Sequence, residues 1–597
     1  MIQQVINQSP VREAPALDPL TGSKTNAEAA ASDEPVLRVN NIQGNILGGF
    51  SKDFQTLLFL EIEKPDAFKR WLKTQIKFIA TASEVIAFNR LFKATRKRRN
   101  GEGAVKSTWV NIAFSFEGLK KLTSDVNFTD SAFKAGLAAR AKDLNDPVDQ
   151  NNKPIGWVVG GPDNGKTDVV FIVASDERAD MLAEVARILE SVVGFTDGKG
   201  KPLSSGAKIT FMEEGVNLPP PLSGAEHFGN ADGISQPGIR GRVSNDPNDL
   251  LTPRQNPENR DQGKPGQDVL WPGEFVFGYP GQDPNAKKLE QSKGQVASAG
   301  VSWADDGSFL VFRRLRQDVF KFHEFLYKTA VELNTNPRKV SAKLVGRWSS
   351  GAPTIRTPED DIPALGSDDC ANNNFEFNDS GDQPKNVKPK PDDCEDKFKD
   401  LPTNDVVPPS HDATGLRCPF IAHVRKSYPR NDKTPGGIVD KNKPNEVDID
   451  RSEVTTQTHR LLRRGIPYGP ISPSTPENPQ QDPHFVDRGL HFLAYQTSIE
   501  RQFEFVTKNW VNNKDFSEQA ATGHDCNGKL PLGQDPIIGQ SNGANGDRTR
   551  KFFIRLEDNK SIERCEELKA PEDWVIPTGG GYFFAPSISA LDKVLSS

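Results

Sequence analysis

Cysteine, methionine and long apolar runs are all scarce in this sequence. Only 5 of its 597 residues are cysteine and 3 are methionine. The cysteines are too few and too scattered for a disulfide framework and form no C-x-x-C pair, which excludes a zinc ribbon and predicts a reduced chain. Cys370 and Cys394 could pair or bind a metal ion, but their spacing matches no ligand pattern.

No apolar stretch approaches the length of a membrane span. The run at 56–62 is among the longest, and it falls far below the ~20 residues that cross a bilayer. The first residues show no basic start followed by an apolar run, so we expect no secretory signal, no membrane association and a cytoplasmic chain. With 75 basic and 81 acidic residues, the net charge of -6 excludes a general nucleic-acid surface.

The first part of the chain alternates short strands with amphipathic helices. Strands are predicted at 55–63, 107–115, 167–175 and 208–213, and helices at 66–80, 116–123 and 177–193. This order predicts an α+β fold with a ferredoxin-like layer. A parallel α/β sheet is the alternative that the pattern leaves open.

A second series of the same kind follows. Its strands are predicted at 274–278, 308–313, 490–497, 551–556 and 581–585, and its helices at 317–333, 338–348, 498–512 and 588–595. We therefore predict two ferredoxin-like domains, each an antiparallel sheet with peripheral helices, at 37–240 and 241–597. A disordered tail at 1–36 precedes them. Long irregular inserts interrupt the pattern, the largest at about 349–417.

His423 stands in the segment CPFIAHVRKSYPR, which is apolar before the histidine and cationic after it. A histidine on an apolar wall beside Arg425, Lys426 and Arg430 would suit a buried flat ligand with two carboxylates. The alternative is a core histidine followed by a solvated basic run. The eight histidines form no paired metal motif, which leaves open a metal site that needs a single histidine.

Three more short segments carry candidate site residues. Asp232 lies in HFGNADGISQPGIR, where flanking glycines would let its carboxylate overhang a flat surface, and an ordinary Asp-Gly turn is the alternative. Arg463 and Arg464 in HRLLRRGIPYGPI point to opposite faces of an extended segment, so one could enter a pocket, or both could be solvated. Leu490 and Phe492 share a strand face, either as core or as cavity walls.

Together these segments resemble the dye-decolorizing peroxidases. The resemblance covers about residues 37–590, which is nearly the whole chain apart from the tail. The motifs that carry it are IQGNILGGF, GNADGISQP, GRWSSGAP, LRCPFIAHVRKSYPR, LLRRGIPYGP, GLHFLAYQTSIERQFEF, DPIIGQ and GGGYFFAPS. The resemblance implies a fold of two ferredoxin-like layers, non-covalent haem b, and peroxide-driven oxidation of dyes, phenols and other aromatic donors in one-electron steps.

The resemblance also implies roles for individual residues. His423 would be the proximal ligand of the haem iron, and Asp535 would hydrogen-bond that histidine. Asp232 would be the distal acid–base residue. The distal arginine of the family stands four residues before the proline of the GIPYG segment, which selects Arg463 rather than Arg464.

The resemblance further implies three residues that would contact the haem or line its pocket. Arg430 would contact a haem propionate. Leu490 and Phe492 would line the distal pocket.

These assignments are chemically reasonable. A carboxylate within reach of both peroxide oxygens can take a proton from one and return it to the other. An aspartate in water has a pKa near ~3.9, so it would serve as a base in mildly acidic solution, where a histidine is already protonated. A guanidinium is permanently charged and can stabilise negative charge on the leaving oxygen.

Surface aromatic residues would give bulky donors a route for electrons. Tyr468, Trp510 and Trp348 are the candidates, and routine packing is the alternative for each. Two other functions compete with the peroxidase. One is a haem-binding or haem-handling protein with incidental peroxidase activity, and the other is a non-haem dimeric interaction module. A homo-oligomer is compatible with all three.

Overall fold

The computed structural model describes residues 34–98, 105–196, 200, 202–254, 260–378, 398, 411–438, 448–517, 530–541, 546–557 and 563–597. Most of the predicted tail and much of the predicted insert therefore lie outside the described residues. The last residues of that tail, 34–36, are among the described ones. Glu34 is buried, accepts a hydrogen bond from the Gly241 amide at 2.9 Å, and pairs with Arg254.

The N-terminal half contributes four strands. They are β1 (Phe54–Ile62), β2 (Thr108–Phe114), β3 (Val169–Ser175) and β4 (Ala207–Val216). Their order in the sheet is β2-β3-β1-β4, and each neighbouring pair is antiparallel. This is the ferredoxin-like arrangement that the alternation of elements predicts, and it rules out the parallel sheet.

The C-terminal half repeats that arrangement. Its strands are β5 (Ser308–Gln317), β6 (Leu462–Arg463), β7 (Ile466–Tyr468), β8 (Gly489–Gln496) and β9 (Val575–Ala585). They are ordered β6-β8-β5-β9, with β7 also paired to β8, and all described pairs are antiparallel. Counting β6 and β7 as one interrupted strand, both halves have the strand order fourth, first, third, second.

The two halves form one sheet of nine strands. They meet edge to edge, where Phe584 of β9 pairs with Phe114 of β2. At the other end, β4 approaches β7 so closely that a Cβ on Gly215 would lie 2.6 Å from Ile466 Cγ2. The sheet curves accordingly, and one apolar core lies on each of its faces. The α+β prediction is confirmed, and the domain boundaries at 37–240 and 241–597 remain a prediction.

Helices pack their apolar faces against the sheet. The longest described helices are Pro65–Gln75, Ala82–Arg98, Arg178–Val193 and Val319–Leu333, and the shorter ones are Gly44–Leu47, Phe116–Leu122, Ser131–Ala135, Leu137–Arg140, Pro337–Val345, Pro363–Gly366, His423–Ser427, Ile449–Gln457 and Ile588–Ala590. The predicted helix at 498–512 forms two consecutive π-helical segments, Ile499–Glu504 and Val506–Val511.

One sequence-based strand assignment is wrong, and one predicted strand exists but pairs outside the main sheet. The segment 274–278 is not a strand, because Pro272 starts a short 3-10 turn and Gly278 adopts a left-handed φ of 85°. The strand predicted at 551–556 exists as Arg550–Glu557, but it pairs with Glu563–Ala570 in a separate hairpin and not with the nine-stranded sheet.

The cysteines differ from the expectation of a reduced chain. Cys370 and Cys565 each take part in a disulfide bond, whereas Cys418 is a free thiol in the interior. Cys394 lies outside the described residues, so its pairing with Cys370 stays untested. Within the described ranges, no helix combines the length and apolarity that a membrane crossing requires.

Candidate active site

The described residues enclose a large cavity of about 520 Å³ against the C-terminal half of the sheet. Its walls include Leu315 of β5, Arg463 of β6, Leu490 and Phe492 of β8, and Val575 of β9. The helix that starts at His423, the loop around Asp232 and the segment 537–538 complete the enclosure. Long-range folding therefore brings six of the predicted site residues to one cavity: Asp232, His423, Arg430, Arg463, Leu490 and Phe492.

His423 is held in place by a buried aspartate. Its Nδ1 lies 2.8 Å from Oδ2 of Asp535, whose side chain is fully buried. The other carboxylate oxygen of Asp535 accepts from the amides of Ile537 and Ile538 at 2.7 and 3.0 Å. Burial by itself lowers the pKa of His423, and the charge of Asp535 outweighs it, so the net direction is upward.

The basic run after His423 is not solvated, which corrects that alternative. Arg425 and Lys426 are both almost completely buried. Arg425 forms an ion pair with Asp432 at 2.6 Å, and Lys426 Nζ donates to the carbonyls of Asn513 and Phe516 at 2.7 Å. Neither side chain lines the cavity, because both are used to anchor the histidine helix to its surroundings.

Asp232 and Arg463 form the second charged pair of the cavity. Arg463 Nη1 lies 3.4 Å from Oδ1 of Asp232, and this oxygen also accepts from the Gly233 amide at 2.6 Å. The two side chains are 30% and 40% exposed, in the order Arg463 and Asp232, so this pair is looser and more accessible than His423–Asp535. Gly233 has a φ of 77°, the left-handed conformation that the Asp-Gly turn requires.

Arg464 points away from this pair. Its guanidinium donates to the carbonyls of Asn45, Ile46 and Leu47 at 3.0 to 3.2 Å, and these carbonyls end the helix Gly44–Leu47. A cation at a helix carboxyl end is favourable. Arg463 and Arg464 thus have separate partners, as expected of neighbours in an extended segment, but both line the cavity and neither is merely solvated.

Two buried arginines line another part of the cavity. Arg347 and Arg430 share the side-chain oxygen of Asn373, at 2.6 and 3.1 Å respectively. Among the described residues, no carboxylate lies within ion-pair distance of Arg347, and burial, together with Arg430 and Arg463, lowers its pKa to about 9. Glu376 lies 3.6 Å from Arg430. Two buried cations that share a neutral acceptor form a site for an added anion.

The predicted aromatic residues are not on the surface, which corrects that part of the prediction. Tyr468 and Trp510 are 2% and 3% exposed, and Trp348 is also buried. The ring of Tyr468 stacks on His491 at 4.8 Å, and Trp510 stacks on Phe516 at 5.7 Å. None of the three aromatic residues lines the cavity.

Sequence reasoning missed several residues that line the cavity. Arg347 lies within the quoted segment GRWSSGAP, and Tyr428 within LRCPFIAHVRKSYPR, so the motifs contained them without marking their role. Glu226 and His459 stand at or next to quoted segments as well. The ring of His459 stacks on Phe505 at a centroid distance of 3.7 Å and meets Trp510 edge-on at 5.2 Å.

Comparisons with known proteins agree on one family. Residues 41–198 match the family described as the DyP dimeric alpha+beta barrel domain. The dye-decolorizing peroxidase msp1 of Mycetinis scorodonius is 31% identical over 599 residues, covering 98% of this chain and 92% of that protein. The dye-decolorizing peroxidase AauDyP1 of Auricularia auricula-judae is 31% identical and covers 96% of this chain and 89% of that protein.

Solved structures give the same result. An ancestral D-type dye decolorizing peroxidase is 34% identical and superimposes with a TM-score of 0.67, covering 94% of this chain and all of that one. Fold and relatives together define an oxidoreductase of the peroxidase class. The near full-length match narrows this further, and the chain belongs to the dye-decolorizing peroxidases.

Membership in this family implies a haem cofactor, and the cavity residues fit one. Its walls are partly apolar, one of its two histidines, His423, has its Nδ1 occupied by Asp535, and the buried Arg347 has no carboxylate partner among the described residues. A flat dianionic cofactor with one axial ligand matches these three features.

Proposed function

We propose that this chain uses hydrogen peroxide to oxidise dyes, phenols and other aromatic donors in one-electron steps, with non-covalently bound haem b in the cavity. The observation that carries the proposal is that one cavity combines His423, backed by Asp535, with the Asp232–Arg463 pair. When bound, the haem supplies the redox-active iron at which the peroxide bond is split.

His423 is the proposed axial ligand. Because its Nδ1 bonds to Asp535, its Nε2 is the ring nitrogen that remains for a metal. The amides of Ile537 and Ile538 fix Asp535, so the orientation of the ring is set by the backbone. A carboxylate on the far nitrogen also raises the basicity of the ligand.

Asp232 is the proposed acid–base residue and Arg463 the proposed electrostatic partner. Asp232 takes a proton from one peroxide oxygen and delivers it to the other, and Arg463 stabilises the negative charge on the departing oxygen. A 3.4 Å separation leaves room for a small molecule to compete for both groups. Leu490 and Phe492 keep the adjoining wall apolar.

Arg430 and Arg347 are the proposed contacts for the two carboxylates of haem. Both guanidinium groups are buried and line the cavity. The two arginines repel each other, and the neutral side chain of Asn373, which accepts from both, does not cancel their charges. An incoming carboxylate would do so.

The direct test replaces Asp232 by asparagine. The volume is unchanged, but the amide cannot take up a proton, so the rate of the first reaction with peroxide should fall by about 100-fold or more at every pH. Stopped-flow absorbance measures this step, and a matched haem content shows that the cofactor is retained. An Asp232→Asn variant as fast as the wild type would remove the acid–base role.

Bulky dyes require a relay, and Tyr468 and Trp510 remain the proposed residues, now as buried sites. Trp510 is one ring removed from the cavity, through His459. Trp510→Phe should lower large-dye turnover several-fold and spare small phenols, with Tyr468→Phe measured in parallel. Unchanged large-dye turnover in both variants would exclude the relay at these positions.

The haem-handling alternative is less well supported, because a carrier has no need for an aspartate–arginine pair beside the cavity. The cytoplasmic location stays a prediction from the sequence. The disulfide-bonded Cys370 and Cys565 count against it, since disulfides are rare in reducing compartments.

A further inference from the structure

A carboxylate that no step of the proposed chemistry uses also lines the cavity. Glu226 lies six residues before Asp232, at the start of the loop that carries the aspartate. Its carboxylate accepts four hydrogen bonds, all from N–H donors. One oxygen accepts from the Phe228 amide at 2.7 Å and from the side chain of Gln317, and the other accepts from the amide and side chain of Asn230, both at 3.0 Å.

These contacts close the loop onto itself. The Glu226 amide donates to the Asn230 carbonyl at 3.1 Å, and the Gly229 amide donates to the Glu226 carbonyl at 2.9 Å. Gly229 has a φ of 90°, which a residue with a side chain rarely adopts. The result is a tight turn whose interior is filled by the glutamate carboxylate.

The backbone at Asp232, directly after this turn, is fixed by two hydrogen bonds. Its amide donates to the Gly224 carbonyl at 3.1 Å, and the preceding amide, of Ala231, donates to the Ser349 carbonyl at 3.0 Å. Among the described residues, the Asp232 side chain itself has the Gly233 amide at 2.6 Å and Arg463 at 3.4 Å as its hydrogen-bond partners. The position of the aspartate therefore depends on the turn more than on its own contacts.

Gln317 connects the turn to the sheet. It is the last residue of β5, where it pairs with Val575 of β9, and its amide donates to the Arg488 carbonyl at 2.9 Å. Glu226 thus bridges a loop and a central strand, and a site held by a strand is more rigid than one held by a loop alone.

We propose that Glu226 is a positioning residue for Asp232: its carboxylate fastens the 226–232 turn to strand β5 and so sets where the acid–base group stands. This inference rests on the proposed function of Asp232. The carboxylate is required because each of its oxygens accepts from a backbone amide, of Phe228 or of Asn230, which cannot reverse its direction. An amide in its place would turn an N–H group towards one of these backbone N–H groups.

The first test is hydrogen exchange of the haem-loaded enzyme, a readout independent of activity. Glu226→Gln should make the peptide covering residues 225–233 exchange at least ~10-fold faster, because buried hydrogen bonds are lost. Glu274→Gln is the matched control. Glu274 is also buried and accepts from the Gln282 amide at 2.8 Å, but it does not line the cavity. Equal exchange in Glu226→Gln and wild type would overturn the proposal.

The second test is a double-mutant cycle on the rate of reaction with peroxide. Glu226→Gln should slow this reaction about 10-fold in the wild-type background and less than ~2-fold when Asp232 is already asparagine, because Glu226 acts through Asp232. Glu274→Gln should leave the rate unchanged in both. An equal factor in the two backgrounds would overturn the proposal and assign Glu226 a separate, purely structural role.

The two levels of inference fail differently. A fast Asp232→Asn variant defeats the proposed function, whatever Glu226 does. A slow Asp232→Asn variant combined with normal exchange in Glu226→Gln defeats only the positioning role.

Discussion

Two carboxylate pairs at the cavity, His423–Asp535 and Asp232–Arg463, differ in how firmly they are held. His423 and Asp535 are 2.8 Å apart, and backbone amides fix the buried aspartate. Asp232 and Arg463 are 3.4 Å apart, and both are partly exposed. The difference indicates that one pair is built to keep a single geometry, whereas the other must admit a small reactant and exchange a proton with it.

The supporting structure follows the same division. The histidine helix is anchored by Arg425 and Lys426, two cations almost without exposure. The Asp232 loop is held by the hydrogen bonds of Glu226, and Arg463 sits on the two-residue strand β6. A rigid, buried support suits a metal-binding histidine that must stay bound. Fewer supporting contacts suit groups, such as Asp232 and Arg463, that change hydrogen-bond partners during turnover.

Breaking the tight pair should have the largest effect. His423→Ala removes the proposed axial ligand, so we expect haem content after purification to fall at least ~10-fold and peroxide turnover to be lost. The ratio of haem absorbance to protein absorbance measures this, with Arg464→Leu as a control that keeps His423. Full haem absorbance together with full turnover in His423→Ala would refute the assignment.

Breaking the loose pair should separate activity from stability. Arg463→Leu should lower kcat/KM for peroxide about 100-fold and leave the Tm almost unchanged, because its contacts are few and long. Arg464→Leu should leave kcat/KM for peroxide almost unchanged and lower the Tm. It leaves the final carbonyls of the helix Gly44–Leu47 without their donor and should lower the free energy of unfolding by about 2 kcal/mol. Equal losses of activity in the two variants would show that Arg463 was wrongly chosen over Arg464 as the arginine that acts on peroxide.

A smaller effect should come from Glu213, a carboxylate that does not line the cavity and instead joins the two halves of the sheet. Glu213 of β4 bonds to Arg314 of β5 and to His491 of β8, each at 2.7 Å. Burial raises the pKa of Glu213, but His491 and Arg314 outweigh it and lower the pKa to about 2. A depressed carboxyl pKa contributes stability that is present above the unfolded-state pKa and is lost as pH falls through the folded-state value.

We therefore expect stability to decline between about pH 4.5 and pH 2, with Glu213 contributing about 2 kcal/mol after allowance for its partial exposure. Denaturant unfolding at pH 7 and pH 3 measures this. Glu213→Gln should be less stable than the wild type at pH 7, and the difference should be clearly smaller at pH 3. A constant difference at both values would exclude titration of Glu213 as the cause.

Much of the fold could be predicted because its elements carry local signals. The strand β3 and the helix Arg178–Val193 were expected within two residues of their observed bounds, since apolar periodicity marks both. The segment 274–278 was mistaken for a strand because its apolar residues fill a core from an irregular turn. The strand Arg550–Glu557 was recognised, but its pairing with Glu563–Ala570 is a non-local choice that no periodicity encodes.

The site divides in the same way. Local sequence marked Asp232, His423 and Arg463 as candidates, because the motifs around them are contiguous and because neighbouring residues of an extended segment, such as Arg463 and Arg464, point to opposite faces. Only the tertiary structure decided which of them meet. Asp232 and Arg463 are 231 positions apart, and His423 and Asp535 are 112 apart.

Burial was likewise a tertiary outcome. Tyr468 and Trp510 were predicted at the surface, and a solvated run was the alternative for Arg425 and Lys426, yet all four are buried. Periodicity reports the environment that a segment prefers, whereas the exposure of a single side chain depends on what the rest of the fold packs against it.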